Sequence, residues 1–576
     1  MKGAGVLLIS YLVYVVQTGL TILGNVLRKG LRLPDYVVFT LHGSYPDLRQ
    51  PPEGFLQKKM RTRVKSLQEL EKEFQAVAEN PRVKGVILQL SSLPLPLSRV
   101  QSLVNMVKNL QAKGKEVIIW STFYDFRSYF LAAAGDRILM QKGGIIYSLG
   151  LAQRQLYIKN ALDWLGIELD VVQVSPYKSA LERFTRSDMS EEARTMTGWV
   201  MDSYYAQFVR AVARGRHLDE EKVHALVEQT PLFGEKAIES GAVDGVVNAE
   251  ELPAYLGSEE KPARLAHWDQ CGRRFSRPLP GLPGKYIALL RVEGNIVDGR
   301  SRRPPARPPL PAPFLFDAQT GNLTFVQQAR LALKDRRARA VLLYIDSRGG
   351  SAASSEAMTS ILKELAEKKP LVAMMGSVAG SGGYYVATPA SHIVAQPATV
   401  TGSIGVISAK IVNSRLLERL LLNRETIQRG QKDLFRSSEE PFTEEERQKT
   451  WAFIRYIYDL FIQRVAESRS LTPEDVDQVG AGRIWTGEQA LEHGLVDELG
   501  GLETALNRLR SLAGLPPNTP LLEIPYPKRD TAPLPSSAAW IDFGLNSLMQ
   551  VTNSRALLAG PLFFCDINPW DSEHTV

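Results

Sequence analysis

The chain has 576 residues, of which 44% are hydrophobic and 23% are charged. It is too long for one hydrophobic core, and its composition excludes wholesale disorder. The net charge of +7, from 69 basic and 62 acidic residues spread along the chain, is small for this length, so a nucleic-acid partner is not expected. Its two cysteines, Cys271 and Cys565, give neither a disulfide framework nor a zinc-ligand spacing.

The first segment, residues 4–27, has no charged side chain and as a helix would be about 36 Å long, enough to cross a bilayer core of about 30 Å. No small-x-small cleavage site follows it; Arg28, Lys29 and Arg32 follow instead, which argues against a removed signal peptide. We therefore predict an uncleaved transmembrane helix within residues 1–33. Polar residues dilute the segment, so a helix lying in the membrane interface is the alternative. The polar residues of the segment are Ser10, Gln17, Thr18 and Thr21.

The pattern that follows occurs twice. A shift of 255 positions carries Val86 onto Val341 and Tyr129 onto Tyr384, and near the ends of the copies a shift of 253 carries Asp244 onto Asp497. A duplicated fold is the expected reading. Further pairs at the first shift are Leu88 and Leu343, Ala132 and Ala387, Ile138 and Ile393, Ser148 and Ser403, and Gly150 and Gly405.

Each copy opens with a strand that ends in a glycine turn and continues as strand, helix and strand, which predicts parallel pairing in an α/β fold. We expect one domain at residues 34–284, a second at 285–524, and a Pro-rich linker with an apolar tail at 525–576. An Arg/Pro-rich stretch at 302–313 is expected to be a loop. The paired segments are 36–43 and 286–294, 85–90 and 340–345, 99–112 and 354–367, and 116–120 and 371–375.

Only the second copy carries a serine between glycines after a strand, in Ala379-Gly380-Ser381-Gly382-Gly383. A serine hydroxyl becomes a nucleophile when a base takes its proton and amides receive the developing oxyanion. Gly382 and Gly350, of the glycine pair 349–350, are candidates to supply those amides. The ordinary readings are a flexible turn and a strand-to-helix turn, but the first copy lacks both elements together.

The base is less obvious because the chain has only seven histidines. His392 lies in a strand-like run and reads as structural. Lysine can serve instead when burial lowers its pKa from about 10.4 to near 7, at a cost of about 4–5 kcal/mol. Lys178 follows an apolar strand at 167–174, and Lys432 has nearly the same place in the second copy, so both are candidates, although most lysines are merely solvated.

With these residues in view, the chain resembles the signal peptide peptidase A family in its long, tandem-domain bacterial form. The likeness covers most of the sequence between about residues 34 and 525. It rests on Gly349-Gly350, Ala379-Gly-Ser-Gly-Gly-Tyr384, Val400-Thr-Gly-Ser-Ile-Gly405 and Tyr177-Lys178-Ser-Ala180, in the family's order.

The resemblance implies a Ser/Lys protease of the crotonase and Clp-protease fold class that needs no metal or cofactor. It implies that Ser381 is the nucleophile, Lys178 the base, Gly350 and Gly382 the oxyanion hole, and that Ser403 orients the lysine. It also implies a homotetramer, single-pass in the bacterial inner membrane with its catalytic body in the periplasm, that degrades leftover signal peptides. The charges that flank the first segment favour the opposite orientation.

Two departures from the family's pattern bear on the site. Arg348 stands where the family often has proline before the glycine pair, which affects the entrance and leaves the amides in place. Lys432 resembles the lysine of the short, single-domain relatives, so the choice of base stays open, with Lys178 preferred.

Three hypotheses follow. The first is a serine endopeptidase that works through an acyl-enzyme on hydrophobic peptides. The second is a catalytically inactive membrane-tethered scaffold of the same fold, in which Ser381 does not react with an acylating probe. The third is acyl-CoA turnover, because crotonases stabilise thioester enolates with similar amides; the absence of paired carboxylates near either glycine loop argues against it.

Overall fold

The computed structural model describes residues 2–50, 64–280, 284–302, 318–425, 427, 429, 437–525 and 562–564. They form two compact units. The first consists of the described residues up to Gln153 and of Met201–Lys285, and the second of Arg154–Val200 and the described residues from Tyr286 onward. Segment 154–200, which the repeat assigns to the first copy, thus packs with the second unit. Of the predicted loop at 302–313 only Arg302 is described, and the tail, apart from Pro525 and 562–564, lies outside the described residues.

The strands follow the predicted order and several are longer than predicted. In chain order they are β1 Tyr36–Leu41, β2 Gly85–Leu90, β3 Glu116–Asp125, β4 Arg137–Ser148, β5 Glu168–Gln173, β6 Leu232–Phe233, β7 Gly245–Val246, β8 Leu265–His267, β9 Tyr286–Val297, β10 Gln319–Gly321, β11 Ala338–Ser351, β12 Leu371–Gly380, β13 His392–Ala395, β14 Val400–Gly402, β15 Ile407–Val412, β16 Ile484–Thr486, β17 Glu498–Leu499, β18 Leu521–Glu523 and β19 Leu562–Phe564.

Apart from the first, the helices lie between strands along the chain, singly or in runs of three. In chain order they are α1 Lys2–Lys29, α2 Leu67–Ala78, α3 Leu97–Ala112, α4 Phe126–Ala132, α5 Lys159–Leu165, α6 Glu182–Thr185, α7 Glu191–Arg216, α8 Glu220–Gln229, α9 Gly234–Glu239, α10 Leu252–Leu256, α11 Trp268–Cys271, α12 Asn322–Lys334, α13 Ala352–Ala366, α14 Gly382–Ala387, α15 Ser414–Arg419, α16 Glu444–Arg469, α17 Pro473–Val479, α18 Gly487–Glu492 and α19 Leu502–Ala513.

The first unit is built on a sheet in the order β6-β4-β3-β2-β1-β8. Strands β1 to β4 pair in parallel, with Val37 opposite Val86 and Val86 opposite Val117. These residues are fully buried, as expected for parallel strands covered on both faces by helices. The predicted parallel α/β pairing is confirmed for this copy.

The second unit repeats the parallel core with β9, β11, β12 and β13 as neighbours. Val341 of β11 lies opposite Ala288 on one side and Leu371 on the other. Strand β12 is buried along its whole length, because its residues are small or apolar and both faces are packed. It ends at Gly380, one residue before Ser381, so the buried core delivers that serine to the carboxyl edge of the sheet.

Segment 154–200 extends the sheet of the second unit. Strand β5 pairs antiparallel with β15, with Gln173 opposite Ile407 and Glu168 opposite Val412. The buried Asp170 of β5 accepts a hydrogen bond of 2.7 Å from the Phe442 amide, which ties the strand down further. This pairing brings the loop after β5, with Lys178, into the unit that holds Ser381.

The predicted transmembrane helix needs a correction. The described part of the chain contains no helix that combines the length and the apolar character needed to cross a membrane. Helix α1, Lys2–Lys29, contains the segment for which the anchor was predicted. The prediction of a membrane-spanning anchor is therefore not supported.

Candidate active site

Ser381 lies between the end of β12 and the start of α14, in a backbone conformation that costs energy. Its φ is 54° and its ψ is −116°, a region that residues with a side chain rarely adopt. Its amide donates to the Gly402 carbonyl at 2.8 Å, and its carbonyl accepts from the Tyr385 amide at 2.8 Å. The side chain makes no capping bond to α14, so Oγ is available to point elsewhere.

Lys178 is the group that Oγ meets. The distance between Lys178 Nζ and Ser381 Oγ is 2.7 Å. Nζ also donates to two oxygens of Ser403, the side-chain Oγ and the backbone carbonyl oxygen, each at 2.8 Å. Lys178 is 1% exposed and Ser381 is 0% exposed. Removal from water in general disfavours an ammonium relative to a neutral amine, which is the form that can accept a proton.

Ser403 fixes the lysine from the opposite side. It follows β14 with a φ of 50°, and its amide donates to the Arg483 carbonyl at 2.6 Å. Because Gly402, the residue before it, accepts from the Ser381 amide, one short segment holds both the nucleophile and the amine. The sequence singled out Ser403 through the family motif, and the structure places its hydroxyl on Nζ.

Gly350 and Gly382 are the two candidates for an oxyanion hole. Gly350 has a φ of 152°, and a Cβ there would lie 2.1 Å from the Ile296 carbonyl oxygen, so only glycine fits. Gly382 is the first residue of α14, where amides have no acceptor within the helix. The two loops touch, since a Cβ on Gly383 would lie 2.7 Å from the Ser347 carbonyl oxygen.

A loop that sequence reasoning missed braces the lysine. Gly482, with a φ of 90°, packs so close that a Cβ would lie 2.7 Å from the Lys178 backbone nitrogen. Its amide donates to the Ile404 carbonyl at 2.7 Å, and Ser175 Oγ donates to the Ala481 carbonyl at 2.5 Å. The only sequence signal was a glycine pair at 480 and 482, about three hundred residues from the lysine.

Aromatic side chains cover the outside of this loop. The Arg483 guanidinium lies 4.1 Å from the centre of the Tyr177 ring, and Trp199 stacks on Trp485 with ring centres 4.7 Å apart. Trp199 also donates to the Ile484 carbonyl at 2.7 Å. These contacts join the residues around Lys178 to the loop that braces it, which restricts the motion of the amine.

The other candidate bases lie elsewhere. His392 is 2.8 Å from Glu498 and sits opposite Val372, at the start of β12. Ser381 follows the other end of that strand, about 30 Å away at about 3.3 Å per residue. Lys432 lies outside the described residues.

Comparisons with known proteins relate the chain to a family of peptidases. The model of peptidase family S49 matches the chain twice, at residues 109–261 and 363–516. The serine protease SPPA of Arabidopsis thaliana chloroplasts is 30% identical over 462 residues, which are 79% of this chain and 66% of the plant protein. Protease 4 of Haemophilus influenzae is 29% identical over 458 residues, 76% of this chain and 71% of its own length.

A shorter relative aligns with less of the chain. The putative signal peptide peptidase SppA of Enterococcus faecium is 35% identical over 237 residues, 40% of this chain and 64% of that protein. The family model covers more than half of the chain, and its two matches fall in the two copies that the repeat defines. The chain therefore belongs to peptidase family S49, carries the family's domain twice, and is a serine protease of the tandem-domain type.

Proposed function

We propose that this chain is an endopeptidase in which Lys178 and Ser381 form a catalytic dyad. The observation that carries the proposal is the 2.7 Å distance between Nζ and Oγ, with both side chains removed from water. This distance lets the serine hydroxyl donate to a neutral amine. The Ser403 hydroxyl and carbonyl occupy the other directions around Nζ and keep it aimed at Oγ.

In the first half of the reaction, Lys178 takes the Ser381 proton as Oγ attacks the peptide carbonyl carbon. The carbonyl oxygen gains the negative charge and receives hydrogen bonds from the amides of Gly350 and Gly382. When the tetrahedral species collapses, the carbon–nitrogen bond breaks and the lysine ammonium gives its proton to the leaving amine. The product is an ester between the peptide and Ser381.

The second half uses the same groups with water. The neutral amine takes a proton from water, the hydroxide attacks the ester carbon, and the amides again hold the oxyanion. Collapse returns the proton to Oγ and releases a carboxylic acid. The dyad alternates between base and acid as in other serine hydrolases.

We propose apolar peptides, and leftover signal peptides in particular, as the substrates. The support is the name of the Enterococcus faecium relative and the family likeness. From the same likeness we propose a homotetramer located outside the bacterial cytoplasm. Light scattering on the purified chain tests the assembly, and a monomer mass contradicts it.

The experiment is covalent labelling with a fluorophosphonate. Wild-type protein should be labelled at Ser381, located by mass spectrometry, and Lys178→Met, which keeps the size of the side chain without its amine, should lose the label. Lys432→Met is the matched control and should be labelled like wild type. Loss of label only in Lys432→Met moves the base, and no label in any form supports the inactive scaffold.

A further inference from the structure

A piece of the apolar C-terminal tail lies beside the active site. Strand β19, residues Leu562–Phe564, pairs antiparallel with the end of β11. Phe564 is opposite Gly349, Phe563 is opposite Gly350, and Leu562 is opposite Ser351. The tail backbone therefore runs along the segment that contains Gly350, the proposed oxyanion glycine.

The other edge of β19 is also occupied. Leu562 pairs antiparallel with Ile407, the first residue of β15. The strand further contacts α14, the helix that begins directly after Ser381. Three elements that frame the proposed dyad thus surround the same short piece of tail.

The edge of β11 at Gly349 and Gly350 is also suited to a peptide substrate. Proteins commonly bind an extended peptide by adding it to a strand edge, where main-chain hydrogen bonds hold it whatever its sequence. At β11 this edge is formed by Gly349 and Gly350, which carry no side chain to keep a second backbone away. The edge of β11 that would receive a substrate strand is the edge that β19 fills.

The composition of the tail fits the same conclusion. Arg555 is followed by an uncharged, largely apolar run that continues through β19 to Cys565. A basic residue before a short apolar run is also the composition of signal-peptide remnants. The tail therefore has the chemistry of the substrates proposed above, and its tether gives it a high local concentration at the site.

We propose that residues 562–564 of the tail act as an internal competitor that occupies the peptide-binding groove and lowers the activity until substrate displaces them. This inference rests on the proposed function, because it takes the groove beside Ser381 as the substrate site. The fraction of molecules with a free groove sets the apparent affinity for substrate.

Phe563→Pro tests the proposal in the full-length chain. Proline cannot donate a main-chain hydrogen bond, and β19 has neighbours on both edges, so the substitution removes pairing whichever edge the amide faces. We expect the rate of fluorophosphonate labelling at Ser381, and kcat/KM for an apolar peptide, to rise about fivefold to tenfold. Glu573→Pro, near the end of the chain, is the control and should behave like wild type.

Equal labelling rates in Phe563→Pro and wild type overturn the proposal. The ratio of the labelling rates of Phe563→Pro and wild type should not depend on protein concentration. A ratio that does depend on it overturns the proposal that the tail acts within its own chain, because dilution weakens the binding of a tail from another copy. No label in either form contradicts the proposed function instead.

A second measurement decides the tail's place without catalysis. In a Ser381→Ala background, hydrogen exchange should be faster at residues 349–351 when Phe563→Pro is added. Unchanged exchange there overturns the proposal even if the enzyme is inactive.

Discussion

The two copies of the family domain share some of their internal hydrogen bonds and differ at the residue that precedes one of their helices. Tyr129 donates to the Ala242 carbonyl at 2.8 Å in the first copy, and Tyr384 donates to the Leu495 carbonyl at 2.9 Å in the second. Each copy also contains a bidentate arginine–aspartate ion pair. The pairs are Arg216 with Asp244 and Arg469 with Asp497.

The contrast comes at the start of the helix after the third parallel strand. In the first copy Asp125 caps α4 with a relaxed φ of −115°, and it exchanges hydrogen bonds with Ser128. In the second copy Ser381 has a φ of 54° and leaves α14 uncapped. The residue before the helix stabilises that helix in the first copy, whereas in the second copy the capping bond is absent and the serine hydroxyl faces the Lys178 amine.

The largest expected effect on activity separates Ser381 from Asp125. Ser381→Ala should lower kcat/KM by about 10⁴-fold or more, because no nucleophile remains, with little change in stability. Asp125→Ala should do the reverse, costing about 1 kcal/mol of unfolding free energy and leaving kcat/KM unchanged. Peptide hydrolysis and chemical denaturation of both variants check this, and a comparable loss of activity in Asp125→Ala would break the contrast.

The loop with Gly482, which packs against Lys178 in the second unit, should have the next largest effect on kcat. Gly482→Ala adds a methyl group that meets the Lys178 backbone, and we expect kcat to fall about 100-fold because the amine is misplaced. Gly494→Ala is matched, since that glycine also has a positive φ of 69° but a Cβ there meets nothing within 4 Å. Equal kcat in the two variants, at equal thermal stability, would exclude a positioning role for Gly482.

Ser403 and its aligned partner Ser148 sharpen the comparison further. Ser403→Ala removes one hydrogen bond to Nζ and keeps the carbonyl bond, so we expect a fall in kcat of about 10-fold to 100-fold. Ser148→Ala, on an exposed site of the first unit, should change nothing. Steady-state kinetics of both variants is the measurement, and recovery of rate in Ser403→Thr would support the role of the hydroxyl.

The smallest effect concerns stability and pH. Burial disfavours the Asp497 carboxylate, but the Arg469 hydrogen bond and charge outweigh it and hold the pKa of Asp497 below its usual value. A lowered folded-state pKa stabilises the protein above the unfolded value of about 4, and this stability disappears as the pH falls through the folded value.

Asp497→Asn should therefore cost about 1–3 kcal/mol near neutral pH and progressively less below about pH 4. Denaturation of wild type and variant across this pH range gives the difference. A difference that stays constant down to pH 2 would mean that the pair contributes through packing and not through charge.

Local patterns in the sequence were enough to predict the parallel strands and the serine between glycines, because apolar runs and glycine turns are short-range signals. The loop around Gly482 could not be found in this way, since its meaning depends on Lys178, which folding brings to it from far away in the chain. The antiparallel pairing of β5 with β15 could not be predicted for the same reason, because the two strands lie far apart in the chain. The membrane anchor was predicted from the absence of charge in residues 4–27, and the described part of the chain contains no membrane-spanning helix.

The place of Lys178 in the second unit has a consequence for the newly made chain. Synthesis runs from the amino terminus, so the lysine is made 203 residues before the serine and 306 residues separate Ser175 from Ala481 in the bracing loop. At about 5–20 residues per second, the last interval takes about 15 to 60 seconds. With the proposed dyad, an unfinished chain lacks its site during that time and cannot cut a peptide.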